Sequence, residues 1–224
     1  MTASAPLPAL FIFDFDGVVA DSELLANTGL AEALCAIGLP TTLEDSLQRY
    51  MGRRWADNRE RIAEALGRTA TEEELASCQA GVRTALAGEL AEVRGLSAFL
   101  DRFDAVPRCI ASSSGGTWIA GALGRLGLAE RFGDRLFSAQ RVARGKPAPD
   151  LFLLAAAEMG VSPADALVIE DSAPGVEGAR AAGMRVVGLC AGSHIRPGHA
   201  DRLAAAGAHR VVESYAELAA MLGG

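Results

Sequence analysis

Ala9-Leu10-Phe11-Ile12-Phe13-Asp14-Phe15-Asp16-Gly17-Val18-Val19-Ala20-Asp21-Ser22 begins as a short run of bulky apolar residues and breaks into two carboxylates one residue apart. A run this short, closed by Gly17, predicts a buried parallel strand whose carboxyl end presents side chains at a crevice. Asp14 and Asp16 repel each other when held so close. A fold that forces them together uses them for a metal ion, a shared proton, or both.

Outward from this strand the texture of the chain changes twice. Residues 22–92 contain no convincing strand, are rich in Ala, Leu, Glu and Arg, and read as helices only. Ser22 is placed to cap a helix through Leu25, Leu30 and Leu34, which Gly38 and Pro40 stop, and Thr71 with Glu74 forms a capping box ahead of Leu75, Val82 and Leu86. From Arg94 onward, short apolar strands (108–111, 136–138, 167–169, 186–189, 210–212) alternate with helices (118–126, 151–159, 175–182, 215–222). Such alternation predicts a parallel sheet wrapped by helices. The strand at Phe11 must join that sheet, because an isolated buried strand leaves its backbone groups unpaired. The expected architecture is therefore α/β: a Rossmann-like parallel-sheet core from residues 1–21 and 94–224, with an α-helical cap, 22–93, inserted after the first strand. The connections near Asp21-Ser22 and Val93-Arg94-Gly95 read as hinges.

Composition narrows the class. With 224 residues, half of them hydrophobic and 22% charged, the chain is a folded globular protein large enough for a core and a smaller partner unit. No apolar run reaches the roughly 20 residues that a membrane span needs. Residues 1–8 lack a basic start and an apolar signal core and read as a frayed tail, so a cytoplasmic protein is expected. Cys35, Cys78, Cys109 and Cys190 are scattered without a Cys-x-x-Cys pair and read as reduced packing residues. A net charge of -7 with no basic block argues against nucleic acid as a partner. Trp118, at helical spacing with Leu123 and Leu126, reads as core, and His194 and His199, in a Gly/Pro-bearing segment, as exposed loop residues without chemistry.

Four predicted strand ends carry polar residues in chain order: Asp14 and Asp16, then Ser112-Ser113-Ser114, then Lys146 in Gly-Lys-Pro-Ala-Pro-Asp, then Glu170-Asp171-Ser172. Singly each has an ordinary reading as a turn, a helix cap or a solvated lysine; jointly, each just past a strand, they mark one ligand site. In these four motifs, and from about Leu10 to Leu222, the sequence resembles the haloacid dehalogenase-like phosphohydrolases, in particular the sugar-phosphate phosphatase and β-phosphoglucomutase branch with a helical cap. The resemblance implies Asp14 as nucleophile, Asp16 as general acid/base, Ser112 as a phosphate-binding hydroxyl, Lys146 as the charge-neutralising amine, and Glu170 and Asp171 as the acidic motif for Mg²⁺.

Elementary chemistry is consistent with those roles. A carboxylate attacking phosphorus splits hydrolysis into two steps through an acyl phosphate, and the neighbouring carboxyl protonates the leaving oxygen. Asp14, Asp16, Glu170, Asp171 and a phosphate dianion crowd negative charge that only Lys146 and a divalent cation offset, and an all-oxygen ligand set favours Mg²⁺ over zinc. Gly17 and the backbone and hydroxyls of Ser112, Ser113 and Ser114 are the candidate phosphate contacts. The expected reaction is Mg²⁺-dependent hydrolysis of a small phosphorylated metabolite by a monomer or weak dimer. A phosphomutase is the alternative, weakened because Ala26 stands where such mutases carry a His. A 2-haloacid dehalogenase needs neither Asp16 nor the acidic pair, and a binding module needs no reactive groups at all. In the cap, Arg53 and Arg54 are candidate substrate contacts; an inward arginine there suits a sugar acid such as 6-phosphogluconate.

Overall fold

The computed structural model describes residues 7–223. Of the expected N-terminal tail, residues 1–6 lie outside the described part; Pro8 is already buried, and Ala9 N–H donates to the Asp165 carbonyl.

In chain order the elements are β1 (Leu10–Phe13), α1 (Glu23–Ala36), α2 (Leu43–Arg49), α3 (Trp55–Leu66), α4 (Glu72–Leu86), α5 (Leu96–Arg102), β2 (Arg108–Ser112), α6 (Gly116–Leu126), α7 (Ala129–Phe132) and β3 (Leu136–Ser138). There follow α8 (Asp150–Glu158), β4 (Ala166–Glu170), α9 (Ala173–Ala181), β5 (Arg185–Leu189), α10 (His199–Ala205), β6 (Arg210–Val212) and α11 (Tyr215–Gly223). The six strands form one sheet, ordered β3-β2-β1-β4-β5-β6, with every neighbouring pair parallel. The strands run one way out from β1 to β3 and then resume on its other side at β4, which puts a topological switch point between β1 and β4.

Alternation of side chains along each strand feeds two cores. Phe11, Phe13, Ile110, Leu167 and Ile169 meet Phe99, Phe103, Phe132 and Tyr215 on one face, where the rings of Phe11 and Phe99 pack edge to face at 5.4 Å. Leu10, Ile12, Cys109 and Val168 meet Leu151, Phe152 and Val176 on the other. Burial on both faces explains why these strands read as continuous apolar runs rather than as alternating ones.

Helices α1 to α4 carry a separate apolar cluster around Leu30, Leu34, Tyr50, Ile62, Leu75 and Cys78. Their two connections to the sheet lie side by side: Ala20 and Glu92 form an antiparallel bridge, Asp21 N–H donates to the Ala91 carbonyl and Val93 N–H to that of Val19. The capping box at Thr71 and Glu74 forms as expected.

Several local expectations require correction. Ser22 precedes α1 but makes no side-chain cap; its hydroxyl turns to Asp16 instead. Helices α5, α7 and α10 are additional to those expected, two of them following glycines (Gly95 and Gly198) that look like loop punctuation in the sequence. Cys35 is exposed rather than packed, with its sulfur against the backbone of Thr41. His194 and His199 are both buried, only 1% and 3% exposed.

Candidate active site

Register sets the floor of the site. Phe13 pairs with Ile169, so the next residues, Asp14 and Glu170, leave neighbouring strands at the switch point, and Asp14 N–H donates to the Ile169 carbonyl at 2.9 Å. Lys146 reaches in from the loop before α8 and donates to Asp14 Oδ1 at 2.7 Å and to Glu170 Oε1 at 2.6 Å, with its ammonium 5.2 Å above the Phe152 ring. Glu170 Oε2 accepts from the Ser172 N–H and hydroxyl, and Ser172 in turn caps α9 by accepting from Gly175 N–H. Only glycine fits at 175, since a Cβ there would fall 1.6 Å from Glu170 Oε1.

Asp14, Lys146, Glu170 and Asp171 are all 4% exposed or less. Burial pushes the Asp14 carboxyl well above the usual carboxylate range; Lys146 opposes this, while Glu170 and Asp171 add to it. Burial, reinforced by Glu170, raises Asp171 likewise. Burial alone would depress the Lys146 ammonium, but Asp14 and Glu170 outweigh it and hold its affinity for the proton above the ordinary value.

Asp14, Glu170 and Asp171 bring one oxygen each within 4.8 Å of one another. These three buried carboxylates face a single ammonium, and Asp171 Oδ2 has no hydrogen-bond partner among the described residues. Three clustered carboxylates balanced by one ammonium offer only oxygen ligands and an excess of negative charge, which fits a hard divalent cation. Asp16, expected among the ligands, stands outside this cluster. It lies beyond the end of β1, and its carboxylate accepts from Ser22 Oγ (2.6 Å), Ser114 Oγ (2.5 Å) and Trp118 Nε1 (3.2 Å).

The serines part company. Ser112 is buried, and its hydroxyl accepts from Ser114 N–H; Ser113 donates to the Gly52 carbonyl, joining core to cap; Ser114 orients Asp16. Gly17, with φ +79°, does not line the cavity described below. It backs Asp171, and a Cβ there would fall 1.8 Å from Asp171 Oδ2.

Between the sheet edge and α1–α4 lies a cavity of about 610 Å³; Asp16 lines it, whereas Asp14, Ser112, Lys146, Glu170 and Asp171 lie behind its lining. Asp16, Ser113, Ser114 and Trp118 line it from the core side, and Tyr50, Asn58 and Arg53 among others from the cap side. Trp118 packs against the core, edge to face with Phe15, as expected, and its half-buried ring also forms a wall of the cavity. Arg53 points no ion pair elsewhere among the described residues, and burial beside Arg61 lowers its proton affinity. Arg54, by contrast, is committed: it forks onto Asp57 and donates to the Ala143 carbonyl at 3.1 Å, so it straps cap to core instead of presenting a free guanidinium. Tyr50 Oη and Asn58 Oδ1 are buried in the cavity wall without hydrogen-bond partners among the described residues.

Sequence reasoning missed Ser22, Trp118, Tyr50 and the two histidines. For Ser22 and Trp118 the signal was position: both flank motifs already assigned to the site. Tyr50 carried none.

Comparison with known proteins agrees with this geometry. Residues 8–183 match the family model for haloacid dehalogenase-like hydrolases. A 6-phosphogluconate phosphatase of Escherichia coli is 28% identical over 83% of this chain and 84% of its own length. A fructose-1-phosphate phosphatase of the same organism is 30% identical over 79% of this chain and 93% of its own. The crystal structure of a haloacid dehalogenase-like protein from Agrobacterium tumefaciens, 36% identical, superposes with a TM-score of 0.83 over 96% of this chain and 97% of its own. No described helix is long and apolar enough to cross a membrane. Strand order, buried acidic floor and sequence likeness converge: the chain belongs to the haloacid dehalogenase-like hydrolases, and within them to the phosphatases.

Proposed function

We propose that the protein is a Mg²⁺-dependent phosphatase of a small sugar phosphate or sugar-acid phosphate, acting through an aspartyl phosphate on Asp14 beneath a mobile cap formed by residues 22–93. The single observation that carries this reading is the pairing of Lys146 with both Asp14 and Glu170 next to a cavity that Asp16, Ser113 and Ser114 line and that is sized for one small metabolite. Lys146 holds one oxygen of Asp14, leaving the other to attack phosphorus as the bond to the leaving oxygen breaks. Asp16 faces the cavity, where the leaving group sits, and gives that oxygen a proton; in the second step it takes one from the water that opens the acyl phosphate, which frees phosphate and restores Asp14. Mg²⁺ at Asp14, Glu170 and Asp171, when bound, supplies charge neutralisation for the phosphoryl oxygens. Three donors orient the Asp16 carboxylate, two of them serine hydroxyls that can rotate when it carries the proton.

The cap side of the cavity supports the substrate class. Tyr50 Oη and Asn58 Oδ1 await polar partners of the kind that sugar hydroxyls provide, and the free Arg53 suits a second anionic group. Ala26 lines the same cavity and offers no proton-transfer group for returning a phosphoryl group to sugar, which favours hydrolysis over the mutase alternative.

The test is phosphate release across a panel of sugar phosphates and sugar-acid phosphates, with and without EDTA, for the wild type and Asp14→Asn. Turnover should need the metal, and Asp14→Asn should lose about 10⁴-fold or more in kcat with its fold intact. Near-normal activity in that variant removes the covalent mechanism; EDTA-insensitive turnover removes the metal.

A further inference from the structure

Behind the acidic floor lies a group that the reaction above does not use. His194 sits in the loop after β5, buried, with Nε2 2.9 Å from Asp171 Oδ2. That is hydrogen-bonding range, yet neither atom has an aligned partner among the described residues, and His194 Nδ1 has none either. Unpaired buried polar atoms cost roughly 1–3 kcal/mol each, so two of them 2.9 Å apart gain by aligning the Nε2–H on the carboxylate oxygen through a small turn of the ring. The surroundings are shaped for that ring. A Cβ at Gly17 or Gly192 would fall within 2.8 Å of it, and the His199 ring packs edge-on at 5.6 Å.

His199 secures the same residue from its main chain. Arg202 donates to His199 Nδ1 at 3.1 Å, which leaves the ring proton on Nε2 to donate to the Asp171 carbonyl at 2.6 Å. Two imidazoles therefore address one aspartate, one at its backbone and one at its carboxylate. The loop that carries them is anchored at the first cap connection, where Asp21 Oδ1 accepts from both the N–H and the hydroxyl of Ser193 at 2.9 Å.

We infer that His194 is a positioning residue for the divalent cation: it donates from Nε2 to Asp171 Oδ2 and so fixes how that carboxylate meets the metal. Partners that orient metal-ligating groups in this way are worth about 10–100-fold in metal affinity. The inference rests on the Mg²⁺ reading of the floor, and the experiment separates the two. Mg²⁺ binding to metal-stripped protein is measured by calorimetry for the wild type, His194→Phe, which keeps a ring but removes both nitrogens, and His194→Gln, which keeps a donor at similar reach. Unfolding midpoints in EDTA report packing independently. His194→Phe should weaken Mg²⁺ by about 10–100-fold, and His194→Gln should recover most of that loss, whatever each does to the midpoint in EDTA. Wild-type affinity in a folded His194→Phe, or a His194→Gln as weak as the Phe variant, overturns the positioning role. A wild type that binds no Mg²⁺ overturns the metal reading itself. Should His194→Phe fail to fold, Ser193→Ala, which loosens the anchored loop from the surface side, takes its place: it should weaken Mg²⁺ binding, and unchanged affinity there also counts against the proposal.

Discussion

The buried charge cluster at the sheet edge and the cap wall of the neighbouring cavity are built on opposite terms. On the floor, Asp14, Lys146 and Glu170 are buried, and their charged atoms are locked by short hydrogen bonds to one another or to Ser172. On the cap wall, Arg53 is half-buried without an ion pair, and Tyr50 and Asn58 each keep an unpaired polar atom, among the described residues. Preorganised charge accelerates a reaction because nothing has to move when charge develops. Unfilled polar groups select a ligand because only a matching partner relieves them. In the proposed reaction the contrast separates the work: the sheet edge would fix the chemistry, and the inserted helices would choose the molecule.

The largest effect that sharpens this contrast is expected at Lys146. Lys146→Ala removes the one cation from three buried carboxylates and should lower kcat by about 10²–10³, the range for loss of a preorganised charge donor. Breaking a buried pair also costs about 3–5 kcal/mol of stability, readable as a shift in the urea midpoint. Added Mg²⁺ should restore part of the stability and little of the rate. A Lys146→Ala protein with normal stability and turnover would break the distinction at its root.

A smaller and different effect is expected at Arg53. Arg53→Ala should raise KM for a sugar-acid phosphate about tenfold, equivalent to roughly 1.4 kcal/mol, and leave kcat/KM unchanged for a substrate with no second charge. Steady-state kinetics on the two substrates decides it. Equal losses on both would move Arg53 from selection to chemistry and erase the boundary between wall and floor.

The same boundary governs what could be read from sequence. Asp14, Lys146, Glu170 and Asp171 were legible because each directly follows a strand end or lies in a short stiff loop, and strand ends in a parallel sheet converge by geometry alone. The central strands were legible because burial on both faces leaves short apolar runs, and the edge strand β6, where Arg210 is exposed, because it continues the alternation of strand and helix. Side-chain direction beyond the strand end was not. Asp16 looked like a metal ligand by its spacing from Asp14, but past Phe13 the backbone no longer alternates as a strand, and its carboxylate turns to Ser22, Ser114 and Trp118. Arg53 and Arg54 were indistinguishable as neighbours in sequence. One turn of helix α3 separates them in fate, because Asp57 lies three residues from Arg54 and captures it. His194 and His199 carried loop-like neighbours, Gly192, Pro197 and Gly198, and sequence gave no measure of how deeply that loop folds back under the sheet edge.

The smallest expected effect lies farthest from the floor, at the start of α4. Thr71 Oγ1 accepts from Glu74 N–H, and the Glu74 carboxylate accepts from Thr71 N–H at 2.8 Å and from Arg68 at 2.9 and 2.6 Å. Arg68 and the Thr71 backbone hold the Glu74 carboxyl at about 2, against an ordinary 4.5. A folded-state value below the unfolded one stabilises the protein fully above the ordinary value, and that contribution disappears as pH falls through about 2. Because Glu74 lies half-buried at the surface beside an exposed Arg68, salt should screen part of the effect. Thr71→Ala should cost about 1 kcal/mol by loss of the cap, with kcat on a small unselective phosphate ester unchanged. Glu74→Gln should show a shallower acid limb than the wild type in thermal unfolding, the two curves converging at the acid end and drawing together at high salt. If α1–α4 unfold separately from the sheet, only the earlier transition should move; if the paired connections at Ala20 and Glu92 bind both parts into one cooperative unit, a single transition should shift while the floor keeps its rate. A drop in kcat from either substitution would show that the cap's own stability reaches the chemistry, and wall and floor would then have to be treated as one device.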